Sequence, residues 1–387
     1  MDFVMKGKLY DAIVIGAGPA GTTAARQCAL KGLDTILIEK KEFPRYKPCA
    51  GGVSQWALSN LDCEVPEEII ERELFGGRLF FKGSSVEARK PHRVGIIVSR
   101  RAFDDFLLQR ARQAGAKVCL PTEARDFRTK PDSVEIATNK GLFRGRCIVI
   151  AEGAMGGLAR TIRGPYGQNG RAVAVVTEVE SSEDEIVQRT QGQIQIYFDV
   201  AHRGYGWIFP HKGYYSIGIG GISGRATNPV DVLKAFLRRH GFGRSQRLRG
   251  HFLPVGGIRR RVVGHRTILV GDAAGFVDSF TGEGIGYAIL SGRLAAETIS
   301  EALDQGSPSR IDLSAFQEKC DSHFGARLRQ AYQMTRVLHS LPGVFLRTLA
   351  THHDVADKLL DVGLWKISYR QFLIWLLVRT PRYLLQG

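Results

Sequence analysis

The feature that most constrains this chain lies within its first forty residues. Tyr10-Asp11-Ala12-Ile13-Val14-Ile15 is a short apolar, β-branched run that reads as a buried strand. Gly16, Gly18 and Gly21 follow at once in the order GxGxxG, enclosing Pro19 and Ala20. Residues 22–31 have helical spacing, with Ala24, Ala25, Cys28 and Ala29 to one side, and Gly32 supplies a helix stop. A second apolar run, Thr35 to Ile38, ends at Glu39, 18 residues after Gly21, with Lys40 beyond it. The first glycine permits a tight turn, the second lets a pyrophosphate approach the backbone, and the third lets helix and strand pack closely. The helix N-terminus then faces the phosphate charge, and an acid at the second strand's end accepts hydrogen bonds from ribose hydroxyls. Strand, glycines, helix, strand and acid in this order predict a dinucleotide-binding unit. They leave open whether the dinucleotide is a flavin or a nicotinamide.

The 387 residues suffice for two domains, and 44% hydrophobic with 24% charged residues predicts a globular chain with a sizeable core. Lys+Arg is 54 and Asp+Glu 38, a formal charge of +16. Such a surface suits nucleic acid, an anionic membrane or an acidic ligand. The cations are spread along the chain, as at Arg26, Arg101, Arg238 and Arg239, and no nucleic-acid fold motif accompanies them, so no nucleic-acid partner is expected. Cysteines 28, 49, 63, 119, 147 and 320 show neither CxxC nor metal-ligand spacing, which points to a reduced, cytoplasmic setting and no metal. Tyr10 to Ile15 is too short for a signal-peptide core, and Phe372 to Val378 falls far short of the ~20 residues that span a bilayer.

A second motif begins at the apolar run Thr267 to Val270 and continues through Gly271-Asp272-Ala273-Ala274-Gly275. Thr281-Gly282-Glu283-Gly284-Ile285-Gly286 then opens a long helix-like segment reaching about Ala302. This stretch resembles the second FAD fingerprint of the para-hydroxybenzoate hydroxylase-like flavoproteins. The resemblance implies that Gly271 and Asp272 meet the ribityl chain, and that the helix from Gly284 and Ile285 points its N-terminus at the flavin. A helix N-terminus carries about half a positive charge and so suits an anionic reduced flavin. Between the motifs, Cys147 to Ala154 runs from strand into turn, with Glu152-Gly153 where that family usually has Asp-Gly.

Two segments narrow the resemblance. Phe43-Pro44-Arg45-Tyr46-Lys47-Pro48-Cys49-Ala50-Gly51-Gly52-Val53 and Tyr205-Gly206-Trp207-Ile208-Phe209-Pro210 are similar to signatures of the geranylgeranyl reductase family. So is the helix start Arg100-Arg101-Ala102-Phe103-Asp104-Asp105-Phe106-Leu107. The family's usual Pro-Cys-Gly-Gly is here interrupted by Ala50, and the resemblance covers residues 8 to 300. It implies FAD-dependent reduction of isolated C=C bonds in prenyl chains on a lipid, quinone or chlorophyll-type precursor. It implies cofactor contacts from Arg45, Cys49, Ala50, Gly51, Gly52 and Arg100, and a substrate tunnel at Tyr205, Trp207, Phe209 and Pro210. An isolated alkene has no carbonyl to polarise, so hydride and proton must both be delivered and positive character develops on carbon. Aromatic faces stabilise such charge by ~0.5–2 kcal/mol each. Tyr205 and Trp207, two apart on a strand, face one side. Cys49 is a candidate for a direct redox or acid role. No separate nicotinamide motif is present, so the external donor is NAD(P)H, ferredoxin or a deazaflavin.

The expected fold is α/β: a doubly wound, Rossmann-like FAD domain from residues 1–75, 95–165 and 257–305. Residues 76–94 and 166–256 would form an antiparallel-sheet substrate domain, and 306–387 a helical C-terminal region. Residues 364–385 mix Leu, Ile, Trp and Phe with Lys366, Arg370, Arg379 and Arg382, which suits either a helix packed on the domain or one lying on an anionic membrane, on the inner face. Oligomeric state is unreadable. Two other functions share the fold: an aromatic or polyketide monooxygenase and a quinone-linked electron-transfer flavoprotein. The cluster-bearing versions of the latter need a cysteine set that this chain lacks.

Overall fold

The computed structural model describes residues 8–167, 170–201, 204–222, 228–243, 247–255, 260–305, 311–340 and 342–385. The expected domain boundaries at 257 and 306 fall outside them.

The strand Leu9–Ile15 lies at the centre of the first sheet, its residues from Ala12 to Ile15 buried on both faces. It pairs in parallel with Gly141–Ile150 on one side and Thr35–Ile38 on the other. Thr267–Leu269 and Lys117–Cys119 extend the parallel array at its two flanks. The strands Ala124–Thr129 and Val134–Thr138 add an antiparallel extension to the long Gly141–Ile150 strand. The first helix begins at Pro19, three residues earlier than the periodicity predicts, because proline at a first helical position lacks only an N–H that has no partner there. It packs on the long helix Ile285–Gln305 through small residues: a Cβ on Gly292 would lie 2.4 Å from the Ala20 carbonyl oxygen.

The second sheet runs Arg249–Pro254, Arg171–Glu180, Tyr214–Ile222, Gly204–Pro210, Ile194–Tyr197, Gly76–Phe81, Ser84–Arg89. It is antiparallel except where Ile194–Tyr197 meets Gly76–Phe81 in parallel. That pairing joins strands more than a hundred residues apart, beyond the reach of local patterning. A small sheet of Gly52–Ser54, Gly95–Val98 and Ile70–Leu74 bridges the two.

The C-terminal region is helical: Ala326–Ser340, Pro342–Thr351, His353–Gly363 and Tyr369–Leu385. It docks on the second sheet and on the short helix Gln55–Ser59. Trp365 stacks on Trp56 at 3.9 Å between ring centroids and an 11° interplanar angle. Lys90 of the second sheet forms ion pairs with Asp357 and Asp361. Among the described residues no helix is long and apolar enough to cross a membrane.

Candidate active site

The glycine loop forms one end of the site. Gly16 has φ +101°, and a Cβ there would lie 2.4 Å from the Ala151 carbonyl oxygen. Gly21 is needed for packing, since its Cβ would lie 1.8 Å from the Gly16 oxygen. Among the described residues, its chain neighbours aside, the only atom within 4 Å of a Cβ added at Gly18 is Arg45 Nη2, so the loop presents bare backbone to the cleft. The Ala17 and Lys41 amides donate to the two oxygens of Glu39 at 2.8 and 2.9 Å, which holds the acid at the cleft wall.

Opposite the loop stands a buried charge cluster. Asp104, fully buried, accepts from Arg100 Nε and Nη2 at 2.7 and 2.8 Å and pairs with Arg45 Nη2 at 3.1 Å. Burial opposes the Arg100 charge, but the Asp104 carboxylate outweighs it and holds the guanidinium pKa above its usual value. Arg45 Nη1 is buried with no hydrogen-bond partner among the described residues. A buried unpaired guanidinium donor is costly, and an anion in the cleft would satisfy it.

Further along, Asp272 lies 3.8 Å from His251 Nε2, and Lys47 Nζ lies 3.4 Å from the same nitrogen. Burial raises the Asp272 pKa, while the His251 ring and the Lys47 charge pull it down, leaving it below the usual carboxylate value. A Cβ on Gly284 would lie 3.2 Å from Asp272 Oδ1, so only a small residue lets this helix start approach the acid.

The loop around Cys49 is pinned to the second sheet. His211 Nε2 donates to the Ala50 carbonyl at 3.0 Å, and its Nδ1 bonds the Glu71 carboxylate. Gly51 has φ +84°, and a Cβ there would lie 2.5 Å from His211 Cε1. Ser216 Oγ donates to the Cys49 carbonyl at 3.3 Å.

Tyr205, Trp207 and Phe209 project from one face of their strand into the same space. The Trp207 indole lies over Gly218, whose Cβ would sit 2.2 Å from Cζ2. Its Nε1 is buried without a partner. The Tyr205 hydroxyl donates to the Thr281 carbonyl, tying this aromatic wall to the turn that opens the Ile285–Gln305 helix.

The glycine loop, Glu39, Arg45, Arg100, the Cys49 loop, Asp272 and the aromatic strand border one continuous cavity of about 1350 Å³. Ligand pockets commonly measure ~300–1,000 Å³, so there is room for more than one bound molecule. One arm runs past Gly16, Gly18, Pro19, Ala20, Glu39, Lys40, Arg45 and Arg100. The other is apolar, walled by Leu79, Ile194, Ile196, Phe198, Leu359 and Leu360. Cys49, Ala50, Gly52, Asp272, Gly284 and Ile285 line the same cavity. Four of the expected site residues stand off the wall. Gly21, Gly51 and Gly271 serve backbone packing and turns behind it, and Pro210 points to the opposite sheet face by strand alternation. Asp104, Lys47, His251, Glu71, His211 and Glu283 were not expected as site residues. Asp104 and Glu283 sit inside the quoted motifs, and a motif acid with no assigned partner was the available signal. His211 and His251 had none, since Glu71 and Ala50 for the one and Lys47 for the other are more than 100 residues distant.

The residues fit an FAD. The phosphates would lie at the bare glycine loop beside the orphaned Arg45 donor, the ribose at Glu39, and the ribityl chain at Asp272. The fold and this cleft define an FAD-dependent oxidoreductase, and the family described as FAD dependent oxidoreductase matches residues 11–157. Among curated relatives, the digeranylgeranylglycerophospholipid reductase 2 of Methanosphaera stadtmanae is 31% identical over 372 residues, covering 90% of this chain and 92% of that one. The geranylgeranyl diphosphate reductase of Synechocystis is 28% identical over 386 residues, covering 93% and 91%. The chain belongs to the geranylgeranyl reductase family. A geranylgeranyl bacteriochlorophyll reductase-like protein of Thermoplasma acidophilum shares its fold with TM-score 0.82 at 24% identity over 98% of both chains. A flavin-dependent brominase shares the fold with TM-score 0.75 at 19% identity, over 92% of this chain and 94% of that one.

Proposed function

We propose that this enzyme hydrogenates isolated C=C bonds of a geranylgeranyl or related prenyl chain carried by a lipid-type head group. One observation carries the reading: the residues placed to hold the cofactor, the aromatic residues Tyr205, Trp207 and Phe209, and the apolar residues Leu79, Ile194, Ile196, Phe198, Leu359 and Leu360 all line a single cavity. When bound, reduced FAD supplies a hydride. The chain's own residues do the rest. Gly16, Gly18, Arg45, Glu39 and Asp272 bind and orient the cofactor. The apolar arm takes the prenyl chain and excludes water. Tyr205 and Trp207 present ring faces to the positive character that develops on carbon. His211 and Glu71 hold the Cys49 loop in place. NAD(P)H is the external reductant in this reading, with ferredoxin or a deazaflavin as the donors to try if it fails.

The helix Tyr369–Leu385 supports a further element of the reading. Ile374, Leu377 and Val378 are 52%, 70% and 72% exposed and lie one turn apart on a single face. Arg370 and Arg379 flank them, and the protein is strongly basic. This face would rest on an anionic membrane at the cytoplasmic side, where a lipid substrate resides.

The test is anaerobic turnover of chemically reduced enzyme with a geranylgeranyl lipid, read by product mass. A gain of two hydrogens per reduced bond, with flavin reoxidised, is the expected result. A flavin that stays reduced until oxygen is admitted would favour a monooxygenase instead.

A further inference from the structure

We propose that Glu283 is the proton donor of the reaction, delivering its carboxyl proton to the alkene carbon that does not receive the hydride. The inference deepens the function proposed above and rests on it.

The placement comes first. Glu283 lies in the turn between Asp272 and the Ile285–Gln305 helix and borders the same cavity as Tyr205, Trp207, Asp272 and Arg45. The same turn is clamped to the aromatic wall by the Tyr205–Thr281 hydrogen bond. The Glu283 residue is therefore held close to the aromatic wall, by backbone that is itself fixed. The Asp278 amide donates to the Glu283 carbonyl at 2.9 Å, and Gly282 donates to the Asp278 carbonyl at 2.9 Å. Ser54 Oγ donates to Glu283 Oε1 at 2.5 Å. Among the described residues Oε2 carries no hydrogen bond, and it is not sealed from the cavity. One carboxyl oxygen is thus anchored and the other is free to face a ligand.

The surroundings favour the protonated acid. Burial raises the pKa to about 7, the Ser54 hydrogen bond lowers it, Asp278 raises it and the Arg327 guanidinium lowers it. The Tyr287 phenol also faces the carboxyl from the following helix turn. The neighbouring carboxylate, Asp278, is already committed to the Phe280 and Thr281 amides and to the Tyr369 hydroxyl. Tyr205 is no rival, because its proton is spent on the Thr281 carbonyl and burial raises its pKa further. A general acid works best with a pKa near the operating pH, which Glu283 meets.

The balance is one hydride, which bound reduced flavin supplies, and one proton, which Glu283 releases. The alkene π pair forms the new C–H bond to that proton as the carboxyl O–H bond breaks. The carboxylate left behind is reprotonated from water, through the cleft, before the next cycle.

The experiment compares wild-type holoenzyme with Glu283→Gln and Ser54→Ala in anaerobic single turnovers with a geranylgeranyl lipid across a pH series. Flavin content is checked by absorbance, and the resting holoenzymes are titrated by infrared spectroscopy. The wild-type rate should fall as pH rises through about 7, in step with loss of a protonated-carboxyl band. Glu283→Gln should keep its flavin, lack that band, lose the pH limb and turn over about 100-fold or more slowly. Ser54→Ala should move both limb and band to higher pH, because it removes a hydrogen bond that favours the carboxylate. A Glu283→Gln enzyme with the wild-type rate and limb overturns the proposal. If Glu283→Gln loses its flavin, Ser54→Ala decides, and an unmoved limb there overturns it. A wild type that reduces no prenyl chain overturns the underlying function and the proton donor with it. A wild type that does so beside an equally fast Glu283→Gln enzyme removes the proton donor alone.

Discussion

Gly218→Ala adds one methyl group to the floor beneath Trp207. The new Cβ would lie 2.2 Å from Cζ2, 2.6 Å from Cη2 and 2.7 Å from Cε2 of the indole. These are ring atoms, so no flexible tip can turn aside. Ala174 and Val176 pack beside the ring, and the open direction is the cavity itself. The indole must therefore tilt into the space proposed for substrate. Overpacking a well-packed site costs ~1–3 kcal/mol, and in a chain of this size that lowers the melting temperature by a few degrees. Gly220, two residues along the same face, is the internal control. A Cβ there would lie 3.6 Å from Trp207 Cζ3 and 3.7 Å from Ala174 Cβ, which is ordinary contact. Melting temperature, bound-flavin absorbance and single-turnover prenyl reduction are measured on both variants. Gly218→Ala should lose stability and most turnover while keeping its flavin, and Gly220→Ala should resemble wild type in stability. Equal stability and turnover in the two variants would refute both the tight ring–glycine packing and the placing of substrate on the far side of the ring.

Other consequences can be checked alongside. Asp272→Ala should strip FAD, whereas Trp207→Ala should retain it and lose prenyl turnover, as read by flavin absorbance and product mass. Asp104→Ala leaves Arg100 and Arg45 facing each other in a buried site and should cost ~3–5 kcal/mol in denaturant unfolding, since removing one partner strands buried charge. Ser substitutions at Ile374, Leu377 and Val378 should weaken sedimentation with anionic vesicles without altering turnover of a detergent-dispersed substrate.

Local chemistry was legible in the sequence, and contacts between distant segments were not. The strand–glycine–helix–strand order around Gly16 and Gly21 is a short-range pattern, and its backbone needs appear directly in the positive φ of Gly16 and in the Cβ clash at Gly21. The period-two placement of Tyr205, Trp207 and Phe209 is equally local, and the same rule should have excluded Pro210 from the wall. The pinning of the Cys49 loop by His211 and Glu71 joins positions 140 and 161 residues apart, and no periodicity reports such a meeting. The Lys47–His251–Asp272 group draws on three separate elements. The C-terminal helices show their amphipathic character in sequence. That His353–Gly363 would wall the apolar arm depends on how it docks against the second sheet, a matter of tertiary packing alone.

The cavity wall draws on different parts of the chain. The Gly204–Pro210 strand and the Asp278–Glu283 turn supply the aromatic ring faces and the carboxyl, while Leu359 and Leu360 on the helix His353–Gly363 supply apolar lining. Reach and reactivity are thereby set by separate segments. Changes on that one helix would act as a ruler, altering how long a chain is admitted, or how far it slides, without disturbing the groups that meet the double bond.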